Sequence, residues 1–371
     1  MQLLQICSYY ITDVFYTIFF QELNHVGISN KAYVFANKNW KKEGKQFDDA
    51  IVSYCFDSFD RMFFHRKHRK VWKDFQQKVE MEGIDCVHAH SLFSNGYIAY
   101  LAKKKYGIPY IVTVRYPDVF TFFKWMVHLR TLGKEILREA EAVIFLSERT
   151  LQSMEAYLPE AEREMVRKKA HIIPNGIQRF WLENRPVCGK THQKDDVLRL
   201  LFVGRLNKNK NPEVLLRTCE ILKERDIPVE LTFVGGMEEK KYETVLSACD
   251  FVKVYPKCGK EELLQHYRNA DVFVMLSHKE TFGLVYAEAM SQGLPVLYSR
   301  GQGFDGQFAE GVVGYACDSS DPKEAADLIE RILNDYESIS SRCIREAEKF
   351  SWEKIVTEIA ALYDHTQKER K

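Results

Sequence analysis

The stretch that decides the fold is His278-Lys279-Glu280-Thr281-Phe282-Gly283-Leu284-Val285-Tyr286-Ala287-Glu288-Ala289-Met290-Ser291-Gln292-Gly293-Leu294-Pro295-Val296. The apolar run Asp271–Ser277 just before it predicts a buried strand. From Leu284 to Gln292, small and apolar residues recur at helical spacing, and Gly293 with Pro295 predicts the end of that helix. The order is strand, loop, helix and a new strand, which predicts an α/β fold.

The two glutamates of this stretch fall at different places. Glu280 lies in the loop at the carboxyl end of the strand, and Glu288 lies about one turn inside the helix that Gly283 helps to open. The first turn of a helix offers unpaired N–H groups and a positive dipole end, which favour a phosphate. A carboxylate one turn further in can accept two hydrogen bonds from a ribose diol. These positions predict a nucleotide held by its diphosphate; the alternative is two solvated surface charges.

The spacing of these residues is also that of a known motif. Seven residues separate Glu280 from Glu288, Phe-Gly follows the first glutamate, and Ala-Met-x-x-Gly-x-Pro-Val follows the second. This pattern resembles the donor-site motif of retaining glycosyltransferases of the GT-B fold, of the family-four type. The resemblance implies two Rossmann-like domains facing a cleft, with a carboxyl-terminal helix that crosses back to the first domain. The donor-binding residues that it implies are Glu288, Gly204, Phe282, Gly283, Leu284 and Val285.

Length and composition agree with such an organisation. A chain of 371 residues suits two domains, and 46% hydrophobic with 28% charged residues is typical of a globular protein. We expect an acceptor-binding domain over residues 1–182 and a donor-binding domain over 197–350. The polar segment 183–196, which contains Pro186 and Gly189, predicts the linker. The returning helix is expected over 351–371.

The second domain opens with a strand that is followed by Gly204, Arg205 and, further on, Lys210. A glycine allows close approach of the backbone to a pyrophosphate, and two cations can neutralise its oxygens. The resemblance assigns this contact to Arg205 and Lys210, and it assigns the orientation of the sugar hydroxyls to Glu280. These three are the expected catalytic residues. No metal is needed, because the cations offset the charge that grows on the leaving diphosphate.

Candidates for the acceptor come from the first domain. The loop Ser8–Asp13 has no glycine, unlike the commoner family pattern, and its Tyr9 and Tyr10 either shape an acceptor pocket or belong to the core. The segment Asp85–Ser91 contains His88 and His90; we expect His90 to face the cleft, where it either contacts sugar or packs, and His88 to face away. Arg115 and Asp118 match the ends of a four-residue family motif, with larger residues between them.

Charge distribution bears on partners. Residues 1–190 carry 28 Lys+Arg against 21 Asp+Glu, whereas residues 191–371 carry 25 against 31. The segment Arg61–Lys73 has six positive charges interleaved with aromatic residues, but no second basic or stacking element supports nucleic-acid binding. We expect peripheral contact with an anionic membrane through this basic half; the alternative is a solvated helix face.

Cysteine usage and hydropathy bear on location. The nine cysteines are scattered without a Cys-x-x-Cys pair, so we expect neither a disulfide framework nor a zinc site. No apolar run approaches the roughly 18 residues that span a bilayer, and the first residues lack the features of a signal peptide. The expected location is the cytoplasm. Any protein that binds the membrane is expected at the inner face of the cytoplasmic membrane.

Together these features predict a retaining glycosyltransferase without a cofactor. It would move a sugar from a nucleoside diphosphate to a hydroxyl of a saccharide or lipid-linked saccharide, in surface polysaccharide or glycoconjugate synthesis. The alternatives are a sugar-nucleotide-binding scaffold without turnover and a nucleotide-sugar epimerase of the same fold. A phosphorylase would need a pyridoxal lysine, for which the sequence offers no context.

Overall fold

The computed structural model describes residues 1–40, 50–193 and 196–368, except the side chains of residues 367 and 368. It divides into two compact units. Unit 1 comprises Met1–Pro174 together with the chain from Trp352 onward, and unit 2 comprises Asn175–Ser351. Residues 194–195 of the predicted linker and 369–371 of the predicted last helix lie outside the described residues.

Strands and helices alternate along the chain. The strands are β1 (Gln2–Ile6), β2 (Ser29–Asn37), β3 (Ala50–Phe56), β4 (Cys86–Ala89), β5 (Tyr110–Val114), β6 (Ala142–Phe145), β7 (Ala170–Ile172), β8 (Leu198–Val203), β9 (Val229–Val234), β10 (Val252–Tyr255), β11 (Val272–Met275), β12 (Val296–Ser299) and β13 (Gly314–Cys317). The helices are α1 (Val14–His25), α2 (Phe64–Lys78), α3 (Ser94–Tyr106), α4 (Arg130–Glu139), α5 (Glu148–Glu155), α6 (Glu160–Lys168), α7 (Arg179–Glu183), α8 (Pro212–Glu224), α9 (Lys241–Ser247), α10 (Lys260–Asn269), α11 (Leu284–Ser291), α12 (Pro322–Asn334), α13 (Tyr336–Glu346) and α14 (Trp352–Lys368).

Each unit contains one parallel sheet. The order in unit 1 is β3-β2-β1-β4-β5-β6-β7, and the order in unit 2 is β10-β9-β8-β11-β12-β13. In both sheets the order reverses beside the first strand, which is the arrangement of a Rossmann-like domain. The predicted fold class is therefore confirmed: the chain forms two Rossmann-like domains.

The last helix belongs to unit 1 because it covers one face of that sheet. Trp352 and Ile355 of α14 are buried with Phe19 of α1 and with the sheet residues Leu3 and Ile111. The Trp352 ring stacks on Phe19 at a centroid distance of 5.6 Å. Without α14, these apolar sheet residues would face water, so the return of the helix to the first domain has a direct physical cause.

The boundary between the units differs from the predicted one. The change of unit falls after Pro174, before the expected boundary at residue 182. The described part of the predicted linker also packs on unit 2, where the Lys190 ammonium donates to the carbonyls of Tyr267, Arg268 and Ala270 at 3.0, 2.8 and 2.6 Å. A cation at the last carbonyls of α10 stabilises that helix end, so polar composition here marks a cap and not a linker.

Candidate functional site

The predicted donor residues lie at the carboxyl ends of β8 and β11, which are neighbours in the sheet of unit 2. Two loops leave the sheet there: the β8 loop (Gly204–Asn211) and the β11 loop (Leu276–Gly283). The strand order reverses at this place, and such a reversal leaves a crevice in which α/β proteins bind ligands. Hydrogen bonds from His278 N to Asn209 O (2.8 Å) and from Asn209 Nδ2 to Lys279 O (2.9 Å) join the loops.

An ion pair between Lys210 and Glu280 connects the two loops. The Lys210 ammonium lies 2.5 Å from Glu280 Oε2, and the two side chains are only 19% and 13% exposed. Asn207 fixes the backbone of the β8 loop, because its Oδ1 accepts from Lys210 N at 3.0 Å. The other oxygen of Glu280 accepts from Thr281 N at 3.0 Å. Both charged groups are thus held in defined positions.

The β11 loop is supported by the turn that follows β12. Gln302 Oε1 accepts from Glu280 N, and Gly303 N donates to Glu280 O, each at 3.0 Å. A Cβ atom on Gly303 would lie 1.9 Å from the carbonyl oxygen of Thr281, so only glycine allows this contact. Gly303 thus supports the loop that carries Glu280.

The start of α11 offers donors for an anion. Gly283 precedes the helix with φ of 78°, a conformation that favours glycine, and a Cβ there would lie 2.5 Å from the Tyr286 ring. Within the described residues, no hydrogen bond involves the backbone N–H groups of Gly283, Leu284 or Val285. Phe282, by contrast, is 2% exposed, and its ring packs against Phe304 and Phe350. Phe282 therefore holds the loop in place through its side chain.

Glu288 lies behind this helix start, beside two aromatic residues. Tyr267 Oη donates to Glu288 Oε2 at 3.1 Å. Burial raises the pKa of Glu288 to about 7, and the nearby Tyr267 and Trp181 lower it only in part. The Trp181 indole N–H is buried and has no hydrogen bond of ordinary geometry within the described residues. Sequence reasoning missed both aromatic residues and assigned Trp181 to the first domain, although α7 belongs to unit 2.

Arg205 and Gly204 occupy the start of the β8 loop. The Arg205 side chain is 73% exposed and pairs with Glu238 at 2.6 Å, and Asn207 Nδ2 donates to the other oxygen of Glu238 at 2.6 Å. A Cβ on Gly235 would lie 1.9 Å from Gly204 O, so the loops after β8 and β9 pack backbone to backbone. The structure thus brings Lys210 together with Glu280, while Arg205 pairs with Glu238.

In unit 1, Asp118 is a buried carboxylate that joins two loops. It accepts hydrogen bonds from the backbone N–H groups of Leu92, Phe93 and Arg115 at 2.9, 3.1 and 2.8 Å. Burial raises the pKa of Asp118 to about 6, against the lowering effect of these N–H donors. Arg115 is 9% exposed and donates through Nε to His90 O at 3.3 Å. The positions of both residues are defined by unit 1 itself, and an acceptor contact stays a prediction.

The two histidines do not face opposite ways. The ring centroids of His88 and His90 lie 4.2 Å apart, because residues two apart on a strand share a face. The expectation that His90 faces the cleft while His88 faces the other way was therefore wrong, since both rings lie on the same face. His90 is 1% exposed, packs against Phe19 and lies 2.8 Å from Gln5 Oε1. His88 lies 2.6 Å from Tyr363 Oη of α14. Burial lowers the pKa of both imidazoles.

Tyr9 and Tyr10 form part of the turn between β1 and α1. Tyr9 stacks on Tyr16 and Tyr10 stacks on Phe20, with centroid distances of 6.0 and 5.2 Å. Both residues are partly exposed, so they combine packing on α1 with a surface that solvent can reach. Asp13 then caps α1 by accepting from Phe15 N at 3.0 Å. The glycine-free loop is thus closed by aromatic stacking and a helix cap.

Comparison with known families agrees with this arrangement. Residues 33–179 match the family Glycosyltransferase Family 4, and residues 189–350 match Glycosyl transferases group 1. Together the two matches cover most of the chain. The chain belongs to the group 1, family-four type of glycosyltransferases. The predicted family and enzyme class are thereby confirmed.

Relatives of this glycosyltransferase include two D-inositol 3-phosphate glycosyltransferases. The one from Geodermatophilus obscurus is 29% identical over 303 residues, which cover 75% of this chain and 66% of that protein. The one from Thermobifida fusca is 34% identical over 186 residues, which cover 46% and 43%. The alignments thus span slightly under two thirds and under half of these relatives.

Solved structures resemble the glycosyltransferase in fold over nearly its whole length. Sucrose-phosphate synthase from Thermosynechococcus elongatus has a TM-score of 0.72 at 20% identity, with 98% of each chain covered. HepE from Anabaena, solved with UDP and glucose, has a TM-score of 0.65 at 17% identity, with 98% and 100% covered.

The raised pKa of Glu288 predicts a pH-dependent cost to stability. The ordinary pKa of 4.5 rises to about 7 in the fold, so the folded glycosyltransferase binds the proton more tightly than the unfolded chain does. Stability is therefore lost as pH rises from about 4.5 to 7. Glu288→Gln removes this cost. Its free energy of unfolding relative to that of the wild type should therefore rise by on the order of 2 kcal/mol from pH 5 to pH 8, a value discounted for partial exposure.

Urea unfolding at both pH values measures the difference. Glu358→Gln, on the exposed surface of α14, is the control and should follow wild type at both. Parallel pH dependence of wild type and Glu288→Gln would contradict the assignment.

Proposed function

We propose that the protein transfers a glycosyl group from a nucleoside diphosphate sugar to a hydroxyl acceptor, with retention of the anomeric configuration. The observation that carries the proposal is the Lys210–Glu280 pair at 2.5 Å beside the start of α11. It combines a cation, a carboxylate and N–H groups that make no other hydrogen bond within the described residues. A diphosphate needs the cation and the N–H groups, and a sugar needs the carboxylate.

The donor would lie with its diphosphate at the N–H groups of Gly283, Leu284 and Val285. A helix N-terminus favours negative charge, and Lys210 adds a full positive charge at the same end of the sheet. Glu288, one turn along α11, would accept hydrogen bonds from the two hydroxyl groups of the ribose. Tyr267 fixes one oxygen of that carboxylate. Structural relatives solved with UDP, with glucose or with UDP-glucose support a donor of this class.

The chemical step places negative charge on the departing phosphate. The bond from the anomeric carbon to the phosphate oxygen breaks, and the bond to the acceptor oxygen forms on the same face of the sugar. The acceptor proton passes to the leaving phosphate oxygen, so no separate base is required. Lys210, with Arg205 after its release from Glu238, would stabilise the leaving group. Glu280 would orient the sugar hydroxyls and hold Lys210 until the donor arrives.

The acceptor is proposed to be a hydroxyl of a saccharide or a lipid-linked saccharide, in surface polysaccharide or glycoconjugate synthesis. The relatives act, by their names, on D-inositol 3-phosphate, which is also a polyhydroxylated ring. Tyr9, Tyr10 and Arg115 are the candidates in unit 1, since aromatic faces and a guanidinium suit sugars and their phosphates. His90 and Asp118 would position these residues. No resident cofactor or metal takes part in the proposed step.

Two alternatives make different products. An epimerase would convert its sugar nucleotide without any acceptor, and a scaffold would bind the nucleotide without turnover. The preformed Lys210–Glu280 pair favours turnover over simple binding. A site that only binds the nucleotide has no need of a carboxylate next to the lysine that would contact the phosphate. Release of nucleoside diphosphate that depends on an acceptor distinguishes the transferase from both.

Membrane contact is proposed for the start of α2. Within the described residues, no helix is long and apolar enough to cross a bilayer. Phe59, Met62 and Phe63 are instead exposed at 50%, 68% and 50%, next to the basic helix. Asp60 neutralises part of the positive charge of that helix, because its carboxylate forms ion pairs with Arg66 at 2.9 Å and with Lys70 at 2.6 Å. The apolar cluster is therefore as important as the charge for docking on an anionic surface. This docking would keep a cytoplasmic protein at the inner face of the membrane.

Nucleotide binding tests the donor site. One of the uridine, guanosine, adenosine and cytidine diphosphates should raise the thermal stability of the wild type, by about 2.7 kcal/mol at a hundred times its dissociation constant. Glu288→Ala should respond much less, because the ribose loses its acceptor. The measurement is thermal unfolding at matched pH. If none of the four stabilises the wild type, the donor site is refuted.

Replacement of the cations tests the leaving-group role. Lys210→Ala and Arg205→Ala should each lower turnover by on the order of a hundredfold. Lys208→Ala is the matched control, because Lys208 is exposed in the same loop, and its turnover should stay near wild type. Nucleoside diphosphate release with and without acceptor is the readout. Near-normal rates in both variants would contradict the assignment.

Vesicle binding tests the membrane surface. Replacing Met62 and Phe63 together by serine should weaken binding to anionic phosphatidylglycerol vesicles by about tenfold or more, since two exposed apolar side chains no longer insert. Val187→Ser changes a fully exposed apolar residue of unit 2 and should bind as wild type does. Co-sedimentation gives the affinities. Equal binding to neutral phosphatidylcholine, or no effect of the double variant, would exclude this surface.

A further inference from the structure

A second cluster of potential ligands lies on α10, apart from the residues assigned to the donor. The side chains of Cys258, Glu262 and His266 each place one ligand atom so that the three atoms lie within 4.8 Å of one another. A thiolate, a carboxylate and an imidazole are the three side-chain types that Zn²⁺ binds in proteins. The described chain thus brings together a complete three-ligand set.

Helix geometry explains the convergence. Cys258 precedes α10, Gly259 occupies the cap, and the helix begins at Lys260. The ligands follow at intervals of four residues, and residues four apart on a helix lie one above the other on the same face. The predicted absence of a zinc site was based on the lack of a Cys-x-x-Cys pair, which is a different spacing. The set here needs a cysteine before the helix and two ligands on it.

The surroundings leave the ligand atoms available. Cys258 and His266 are partly exposed and Glu262 is exposed, so an ion can enter from solvent. Within residues 1–40, 50–193 and 196–368, no hydrogen bond or ion pair to another residue involves the side chains of Cys258 or Glu262. The His266 ring packs against Tyr255 at a centroid distance of 4.6 Å, which restricts its orientation.

The neighbouring lysine does not compete for the site. The Lys260 ammonium lies 4.6 Å from the centre of the Phe180 ring, an interaction that holds its charge at another part of the surface. The opposite face of α10 is buried through Leu264 and Tyr267, so the helix is anchored independently of any ion. A cavity of about 300 Å³, lined by Tyr255 and His266 among others, adjoins the cluster. The exposure of Glu262 lets solvent supply a water ligand.

We propose that Cys258, Glu262 and His266 bind a borderline-soft divalent cation of the Zn²⁺ type, with water completing a four-coordinate site. Binding displaces the thiol proton of Cys258 to the buffer, and the sulfur, one carboxylate oxygen and one imidazole nitrogen become the ligands. The ion would tie the loop between β10 and α10 to the helix. This site is separate from the proposed transfer step, in which no metal takes part.

Cobalt titration of the full-length protein tests the proposal, because Co²⁺ takes the place of Zn²⁺ and reports its ligands in the absorption spectrum. One Co²⁺ per chain should bind, with a thiolate-to-cobalt charge-transfer band and the d–d bands of tetrahedral coordination. Zn²⁺ should displace it and remove both signals. Glu262→Ala and His266→Ala should each weaken Co²⁺ binding by at least about tenfold.

Cys258→Ser decides the assignment, and Cys188→Ser, at an exposed cysteine outside the cluster, is its matched control. Cys258→Ser should lose the charge-transfer band. In the absence of metal, this variant should unfold at the same temperature as the wild type. Cys188→Ser should keep the band. An unchanged cobalt spectrum in Cys258→Ser would overturn the proposal, and so would the absence of stoichiometric binding in the wild type.

Discussion

The parallel pairing of β8 with β11 is the constraint on which the candidate site depends. Leu200 pairs with Val272 and Leu201 with Phe273, so the two strands end at the same edge of the sheet. All four side chains are buried, and a shift of one strand by one residue would turn that strand's side chains to the other face of the sheet. The apolar pattern of the two strands thus fixes where Lys210 and Glu280 meet. The positions of the charged groups in the site are thus a consequence of how the buried residues of β8 and β11 pack in the core.

The two ion pairs of unit 2 have different physical weight. Lys210 and Glu280 are largely withdrawn from water, so their charges are poorly screened and their desolvation must be offset by good geometry. Arg205 and Glu238 are 73% and 40% exposed, and an exposed pair of this kind contributes little to stability. The first pair is therefore a fixed element of the loops. The second can open at small cost, which suits a cation that has to reach a ligand.

Much of the fold and the centre of the site could be predicted from the sequence, because they depend on local pattern. The strand before Glu280 and the helix after Gly283 appear close to their predicted limits, as β11 and α11. Contacts between distant residues could not be predicted. Trp181 beside Glu288 and Gln302 on the backbone of Glu280 depend on how elements pack. The unit boundary was misplaced for the same reason. The polar composition around Lys190 predicted a linker, but it does not show that the Lys190 ammonium caps α10.

Unit 1 shows why candidate acceptor residues have a weaker pattern in the sequence than candidate donor residues. A diphosphate requires N–H groups and cations wherever it binds, so its site has a recurrent pattern. At the corresponding edge of unit 1, polar side chains are used to hold the fold: Asp118 accepts three backbone N–H groups, and His88 contacts Tyr363 of the returning helix. A polar residue next to a strand end is thus equally compatible with binding and with support. Burial decides between the two, and burial is a property of the whole unit.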